Sequence, residues 1–141
     1  MTGPYALERF LAAQAPVIDT VLAELAAGVK RSHWMWFVFP QLAGLGHSES
    51  ARLYGIASRD EALAYWRHPV LGPRLVQCCD LLRPHPARGP ERVLGPIDAL
   101  KLRSCLTLFE QVAPEEPVFG ELIDDYYGGM RDPATLALLA G

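Results

Sequence analysis

Proline and glycine divide this sequence into short segments, and this punctuation constrains the fold more than any other feature. The chain has 12 prolines and 12 glycines among 141 residues. Between them, apolar residues mostly recur with the helical period rather than with the alternation of a strand. The sequence therefore predicts an all-α fold, a single compact domain of about seven short helices.

Capping residues place the ends of several predicted helices. Pro16 is allowed in a first helical turn, and Gly28 can end the same helix as a C-terminal cap. Ser58 and Glu61 form a capping-box pattern, in which each side chain satisfies a free backbone N–H group near the other. The predicted helices span residues 5–14, 16–27, 48–54, 58–67, 69–83, 97–112, 117–127 and 133–139, with one helical turn at 91–94 inside a loop-rich section.

The segment 33–39, HWMWFVF, departs from this pattern because it is apolar all round. Its aromatic content suits a strand, but no other segment alternates well enough to pair with it. We therefore predict a short buried helix that begins after Ser32 as its N-cap and is stopped by Pro40. The other helices are expected to pack around this Trp/Phe-rich segment.

Composition and charge exclude several classes of protein. Half of the residues are apolar, which is enough for a substantial core, and the net charge of −3 argues against a dedicated nucleic-acid binder. No stretch approaches the roughly 20 apolar residues of a membrane span, and the N-terminus does not resemble a signal peptide. We predict a cytoplasmic monomer that has no membrane partner, and the sequence indicates no particular protein partner.

The cysteines and histidines do not form a metal-binding pattern. Cys78 and Cys79 are adjacent, which is poor geometry for a disulfide or a chelating pair, and Cys105 stands alone. The four histidines are scattered, without an HExxH pattern. We predict buried, reduced thiols, no metal and no cofactor. His68, before Pro69, is expected to fix a turn between two helices.

Several blocks of residues resemble a known bacterial family. The first is KRSHWMWFVFPQ at 30–41, and further matching blocks lie at 44–46, 54–56, 68–75, 101–104, 107–109 and 132–136. Through them the sequence is similar to the domain of unknown function 1810 family over essentially its whole length. The resemblance implies an all-helical fold and brings no established activity, so no residue role can be transferred from it.

The junction before the Trp/Phe-rich segment is the first candidate site. It places two cations, a hydroxyl and an imidazole ahead of a predicted helix N-terminus, where free N–H groups and the helix dipole attract anions. Two indole rings follow, on which a base could stack. Alternatively, the serine only caps the helix, the histidine bonds a carbonyl and the tryptophans belong to the core. The residues are Lys30, Arg31, Ser32, His33, Trp34 and Trp36.

Lys101 is the second candidate. On a helical wheel it lies within an apolar arc that includes Ile97 and Cys105. An ammonium on a core-facing stripe must reach solvent, pair with a carboxylate or serve a pocket. Asp98, one turn earlier, offers such a pair as the alternative to a ligand role. Arg103 falls on the opposite face, where we expect it to be solvated or packed elsewhere.

Together these candidates predict a small-ligand protein with an anion-accepting pocket. A nucleotide or an ADP-ribose-like molecule fits best because it combines a phosphorylated group with a stackable ring. Whether the protein is an enzyme stays open; for a hydrolase, His33 is the best candidate base. The alternative is a non-catalytic protein-interaction domain with a purely structural aromatic cluster. The expected ligand-binding residues are Lys30, Arg31, Ser32, His33, Trp36 and Lys101.

Overall fold

A computed structural model describes residues 5–141, and these residues confirm the all-α prediction. Their ten α-helices contribute to one hydrophobic core, while residues 1–4 of the predicted domain lie outside the described part. The helices are α1 (Glu8–Gln14), α2 (Ile18–Ala27), α3 (Met35–Val38), α4 (Glu49–Tyr54), α5 (Arg59–Arg67), α6 (Leu71–Leu82), α7 (Pro90–Leu94), α8 (Pro96–Val112), α9 (Val118–Tyr127) and α10 (Pro133–Ala140), with a 3-10 helix at Pro86–Arg88.

The predicted caps at Gly28 and Ser58 are confirmed, and Ser48 is a further cap that was predicted only as the start of its helix. The side chains of Ser48 and Ser58 accept hydrogen bonds from N–H groups in the first turns of α4 and α5, both at 3.1 Å. Gly28 ends α2 with a φ of +75°, a left-handed conformation that glycine adopts without strain. The capping box closes differently, because Glu61 accepts from the backbone N–H of Ala57, at 2.8 Å, one residue before Ser58.

The loop-rich section before α8 contains more helix than predicted. The sequence indicated one turn near 91–94, whereas both a 3-10 helix and α7 form there. Pro86 and Pro90 stand in the first turns of these helices, where a missing N–H group has no consequence. These prolines therefore start helices rather than interrupt them.

The Trp/Phe-rich segment forms a helix only over α3, and the predicted Ser32 cap is wrong. Trp34 occupies the N-cap position and makes no side-chain capping bond. The Ser32 hydroxyl instead donates to a carboxylate oxygen of Glu24 at 2.7 Å. A charged acceptor from α2 makes a stronger bond than a capping N–H group would, so the chain turns toward α2 before α3 begins.

The long helix α8 contacts α5, α7, α9 and α10, and its middle is buried on nearly every side. Its first turns differ from the predicted core-facing stripe. Ile97 and Leu100 are 69% and 62% exposed, because the start of α8 borders an open cleft. Lys101 consequently lies beside solvent rather than within the core.

Among residues 5–141, no single helix is long and apolar enough to cross a membrane. The pair α1 and α2 meets the same length and composition test when joined, although the two helices are bent by 69°. Phe10, Val21 and Leu25 from this pair are buried in the core.

Candidate functional site

An open cleft of about 340 Å³ lies where the segment before α3 meets the start of α8. Two local features form its walls. The backbone N–H of Lys30 donates to the carbonyl of Val93 at 2.7 Å, which ties this segment to α7. Gly95 turns the chain from α7 into α8 with a φ of +93°. The lining residues are Lys30, His33, Trp36, Leu94, Gly95, Pro96, Ile97, Asp98 and Lys101.

Asp98 connects two lysines that are far apart in the sequence. Its Oδ2 lies 2.9 Å from Nζ of Lys30, and its Oδ1 lies 3.4 Å from Nζ of Lys101. Lys30 is also held by the carbonyl oxygen of Ser32, at 2.5 Å, and its side chain is only 8% exposed. The predicted Asp98–Lys101 pair therefore forms, but it is the looser half of a three-residue cluster.

The two tryptophans of the segment have different positions. Trp34 is buried in the core, and its indole N–H donates to Glu24 at 2.9 Å. Trp36 is half-buried in the cleft, with Nζ of Lys101 at 4.4 Å from its ring centroid. This distance is within the range of a cation–π interaction. Trp36 thus forms part of the same wall as the weakly held ammonium.

Glu24 supplies the negative charge beside the rest of the basic junction. Its carboxylate accepts from the backbone N–H groups of Arg31 and Ser32, at 2.8 and 3.2 Å, besides the Ser32 hydroxyl and the Trp34 indole. Burial alone would raise the pKa of Glu24, but these four hydrogen bonds lower it from 4.5 to about 2. Arg31 and Ser32 do not line the cleft, and the backbone N–H groups of both are directed to Glu24.

The cleft keeps a surplus of positive charge. Lys30 and Lys101 carry two charges, and Asp98 offsets one of them. The positive end of α8 adds to the surplus because Gly95 is the N-cap of this 17-residue helix. His33 is exposed at the edge of the cleft. An anionic group is the chemistry that this arrangement favours.

Glu24 was not predicted from the sequence at all, and only one of the two ion pairs of Asp98 was predicted. Asp98 was expected to pair with Lys101 only, and its position on the same helical face was the one available signal. Glu24 gave no signal, because an acidic residue on a surface helix is ordinarily solvated. Its role depends on how the chain after α2 turns back across that helix.

Other predicted residues have structural roles. His68 follows α5, and its Nδ1 accepts from the backbone N–H groups of Val70 and Leu71, at 3.1 and 3.2 Å, which confirms its role in the turn. Cys78, Cys79 and Cys105 are buried and free. Burial raises the pKa of all three thiols, that of Cys78 to about 12.

The fold and the cleft define a small all-helical protein with a cationic, tryptophan-walled depression. The chain belongs to the family described as protein of unknown function (DUF1810), whose sequence profile matches residues 4–139. It is similar to the crystal structure of the conserved hypothetical protein Rv1873 from Mycobacterium tuberculosis, with 51% identity, a TM-score of 0.96 and 99% of each chain covered. No functionally curated protein matches the chain.

Proposed function

We propose that the protein binds a small phosphorylated ligand with a stackable ring, of the nucleotide or ADP-ribose class, in the cleft at the start of α8. The position of Lys101 carries this proposal. Its ammonium lies 3.4 Å from a carboxylate that already has Lys30 at 2.9 Å. An incoming anion can therefore attract Lys101 while Asp98 keeps a partner, so binding leaves no carboxylate unpaired.

The ring of the ligand has a natural place at Trp36. The ammonium of Lys101 lies over this ring, 4.4 Å from its centroid. When a phosphate draws the ammonium away, the indole face becomes available to a base or another planar ring. Charge and stacking would then act on the same ligand, which is why a nucleotide-like molecule fits better than inorganic phosphate.

The direct contacts in this proposal come from Lys30, His33, Trp36 and Lys101. Arg31 and Ser32 were also predicted as ligand-binding, but neither residue lines the cleft, and Glu24 engages the backbone N–H groups of both. If the ligand is turned over, His33 is the candidate base, because Asp98 is engaged by both lysines. A cytoplasmic location stays a prediction.

A second candidate function is protein interaction, and one observation favours it. Ile97 and Leu100 are exposed on neighbouring turns of α8, and Ile97 lines the cleft. Such apolar side chains are common at the centre of protein interfaces. This candidate takes precedence if no phosphorylated ligand binds to the folded protein.

The proposal is tested by titrating AMP and ADP-ribose into the wild-type protein and into Lys101→Met, with calorimetry and tryptophan fluorescence as readouts. We expect quenching in the wild type and an affinity loss of about tenfold or more in the variant. The matched control is Arg67→Met, which removes an exposed charge that does not line the cleft.

The stability of the Lys101→Met variant distinguishes a ligand-binding role of Lys101 from a structural role. Since Asp98 keeps its ion pair with Lys30, the unfolding free energy of Lys101→Met should lie within about 1 kcal/mol of that of the wild type. A stable Lys101→Met protein with an unchanged ligand response would remove Lys101 from the site. No response from folded wild-type protein to either compound would favour the interaction function.

A further inference from the structure

A second cleft, of about 240 Å³, lies on the other side of Lys101. Lys101 lines both clefts, so they share a wall. Around the circumference of α8, Ser104 and Leu100 fall between Lys101 and Arg103, and this places them along the second cleft. Its polar side chains are Gln41, Lys101, Arg103, Ser104 and Asp132.

The guanidinium of Arg103 lacks hydrogen-bond partners among the described residues of this second cleft. A guanidinium carries five N–H donors, yet the nearest carboxylate oxygen, on Asp132, lies 3.6 Å from its Nη2. Its buried Nε has no hydrogen-bond partner among residues 5–141. By comparison, Arg131 donates to both carboxylate oxygens of Glu110. The Arg103 guanidinium makes no hydrogen bond among residues 5–141, so its accessible Nη groups have donors that an acceptor in the cleft can engage, beside the buried Nε.

Asp132 forms only a long ion pair with Arg103, because Ser104 and Thr135 hold its other carboxylate oxygen. Its Oδ2 accepts from the hydroxyl of Ser104 at 2.9 Å and from the backbone N–H and the hydroxyl of Thr135. Asp132 is the N-cap of α10, where the helix dipole favours a negative charge. Asp132 thus offsets part of the charge of Arg103 without hydrogen-bonding its guanidinium, whose Nη donors stay available.

We infer that the second cleft takes a second anionic group of the same ligand, so that the ligand straddles Lys101 and contains a pyrophosphate or two comparable anions. This inference rests on the proposed function and narrows its ligand class from any nucleotide to a nucleoside diphosphate or its derivatives. Lys30 and Lys101 hold one group, and the guanidinium of Arg103 holds the other. The planar fork of an arginine matches two phosphate oxygens at once, which a lysine cannot do.

The experiment compares AMP with ADP by calorimetry on wild-type protein, Arg103→Gln and the control Arg67→Gln. Wild-type protein should bind ADP about tenfold or more tightly than AMP, the range expected for a hydrogen bond to a charged group. Arg103→Gln should lose this preference while its affinity for AMP changes less than about threefold, because screening weakens a distant charge. Arg67→Gln should behave as the wild type.

The outcomes separate the two proposals. If AMP binds but ADP binds no tighter, or if the preference survives in Arg103→Gln, the second subsite is wrong and the proposed function stands. If neither nucleotide binds, the proposed function fails, and the subsite is judged by a separate measurement.

That measurement is the side-chain Nε–H resonance of Arg103, assigned by its absence in Arg103→Lys, during titration with inorganic pyrophosphate. The resonance should shift in the wild type and also in Lys30→Met, since Lys30 lines the first cleft only. The charge-retaining lysine variant also shows whether the position tolerates substitution. An unmoved resonance would overturn the second subsite irrespective of the nucleotide results.

Discussion

Glu24 and Asp98 belong to different helices, and both act on the polar residues that precede α3. Glu24 binds Arg31, Ser32 and Trp34 through one carboxylate, whereas Asp98 holds Lys30. The sequence predicts that cations gather here, but it does not predict which acceptors reach them. That choice decides which donors face the cleft and which are used internally.

At the residue scale, we expect Glu24→Gln to destabilise the protein in a pH-dependent way. A carboxylate whose pKa is lowered by folding stabilises the native state above its unfolded pKa and loses that contribution as the pH falls toward its folded pKa. For Glu24 this window runs from 4.5 down to about 2. The difference in unfolding free energy should be about 2 kcal/mol at pH 7, after allowance for solvent screening, and should shrink below pH 4.5.

Urea unfolding of both proteins between pH 7 and pH 3 measures this difference. Glu115→Gln is the control because Glu115 is exposed in a loop, and its effect should be small throughout. A Glu24→Gln deficit that persists unchanged to pH 3 would show that the amide fails for steric reasons rather than for loss of the charge.

At the scale of elements, the sequence predicted helix ends that depend on neighbouring residues, but not residue positions that depend on tertiary contacts. Gly28, Ser48 and Ser58 act on N–H or C=O groups within one turn, so their neighbours in sequence define their role. Ser32 looked equally suited to be a cap, but a carboxylate from α2 takes its hydroxyl. Ile97 has the period of a core residue but is exposed, because its side of the first turn of α8 faces the open cleft. Tertiary contacts decided both cases.

The turn between α5 and α6 depends on a glycine. A Cβ atom at Gly72 would collide with the backbone carbonyl oxygen of Trp66, which cannot move without shifting the end of α5. We expect Gly72→Ala to lower the unfolding free energy by about 2 kcal/mol or more, measured by urea denaturation.

Gly120→Ala provides the matched comparison within α9. Its added Cβ would meet Oε2 of Glu110, at 2.6 Å, a side-chain oxygen that also accepts from Arg131, so this ion pair must shift. Alanine has the higher helix propensity, by up to about 1 kcal/mol, which offsets part of that cost, so this change should lower the unfolding free energy by less than Gly72→Ala does. Equal losses in the two variants would contradict the assigned role of the Trp66 carbonyl.

At the scale of the whole molecule, the sequence predicted which residues meet at the cleft better than it predicted their hydrogen-bond and ion-pair partners. Lys30, His33, Trp36 and Lys101 were expected in one pocket, and folding does bring them to one cleft. The matching blocks made this grouping possible, because both lysines lie within them. Arg103 was predicted to lie on the opposite face of α8 from Lys101, solvated or packed elsewhere, but both residues line the second cleft. The lack of a partner for Arg103 Nε among the described residues depends on how α10 docks. The way one helix packs against another, as α10 does near Arg103, cannot be read from the residues on either side in the sequence.

The three thiols report on the core as a whole. Cys78 and Cys79 from α6 and Cys105 from α8 are buried, and burial raises the pKa of each thiol above its ordinary value. Since the thiolate is the reactive form, a thiol reagent at pH 8 should label the native protein very slowly and the unfolded protein at once. Opening any one site should require most of the core to open, so all three thiols should react together, at a rate that rises with urea in parallel with global unfolding. Mass spectrometry of the labelled protein measures this directly, because joint opening gives molecules with zero or three labels. An early population with a single label would show instead that α6 or α8 opens locally, and that the core is less cooperative than its shared packing indicates.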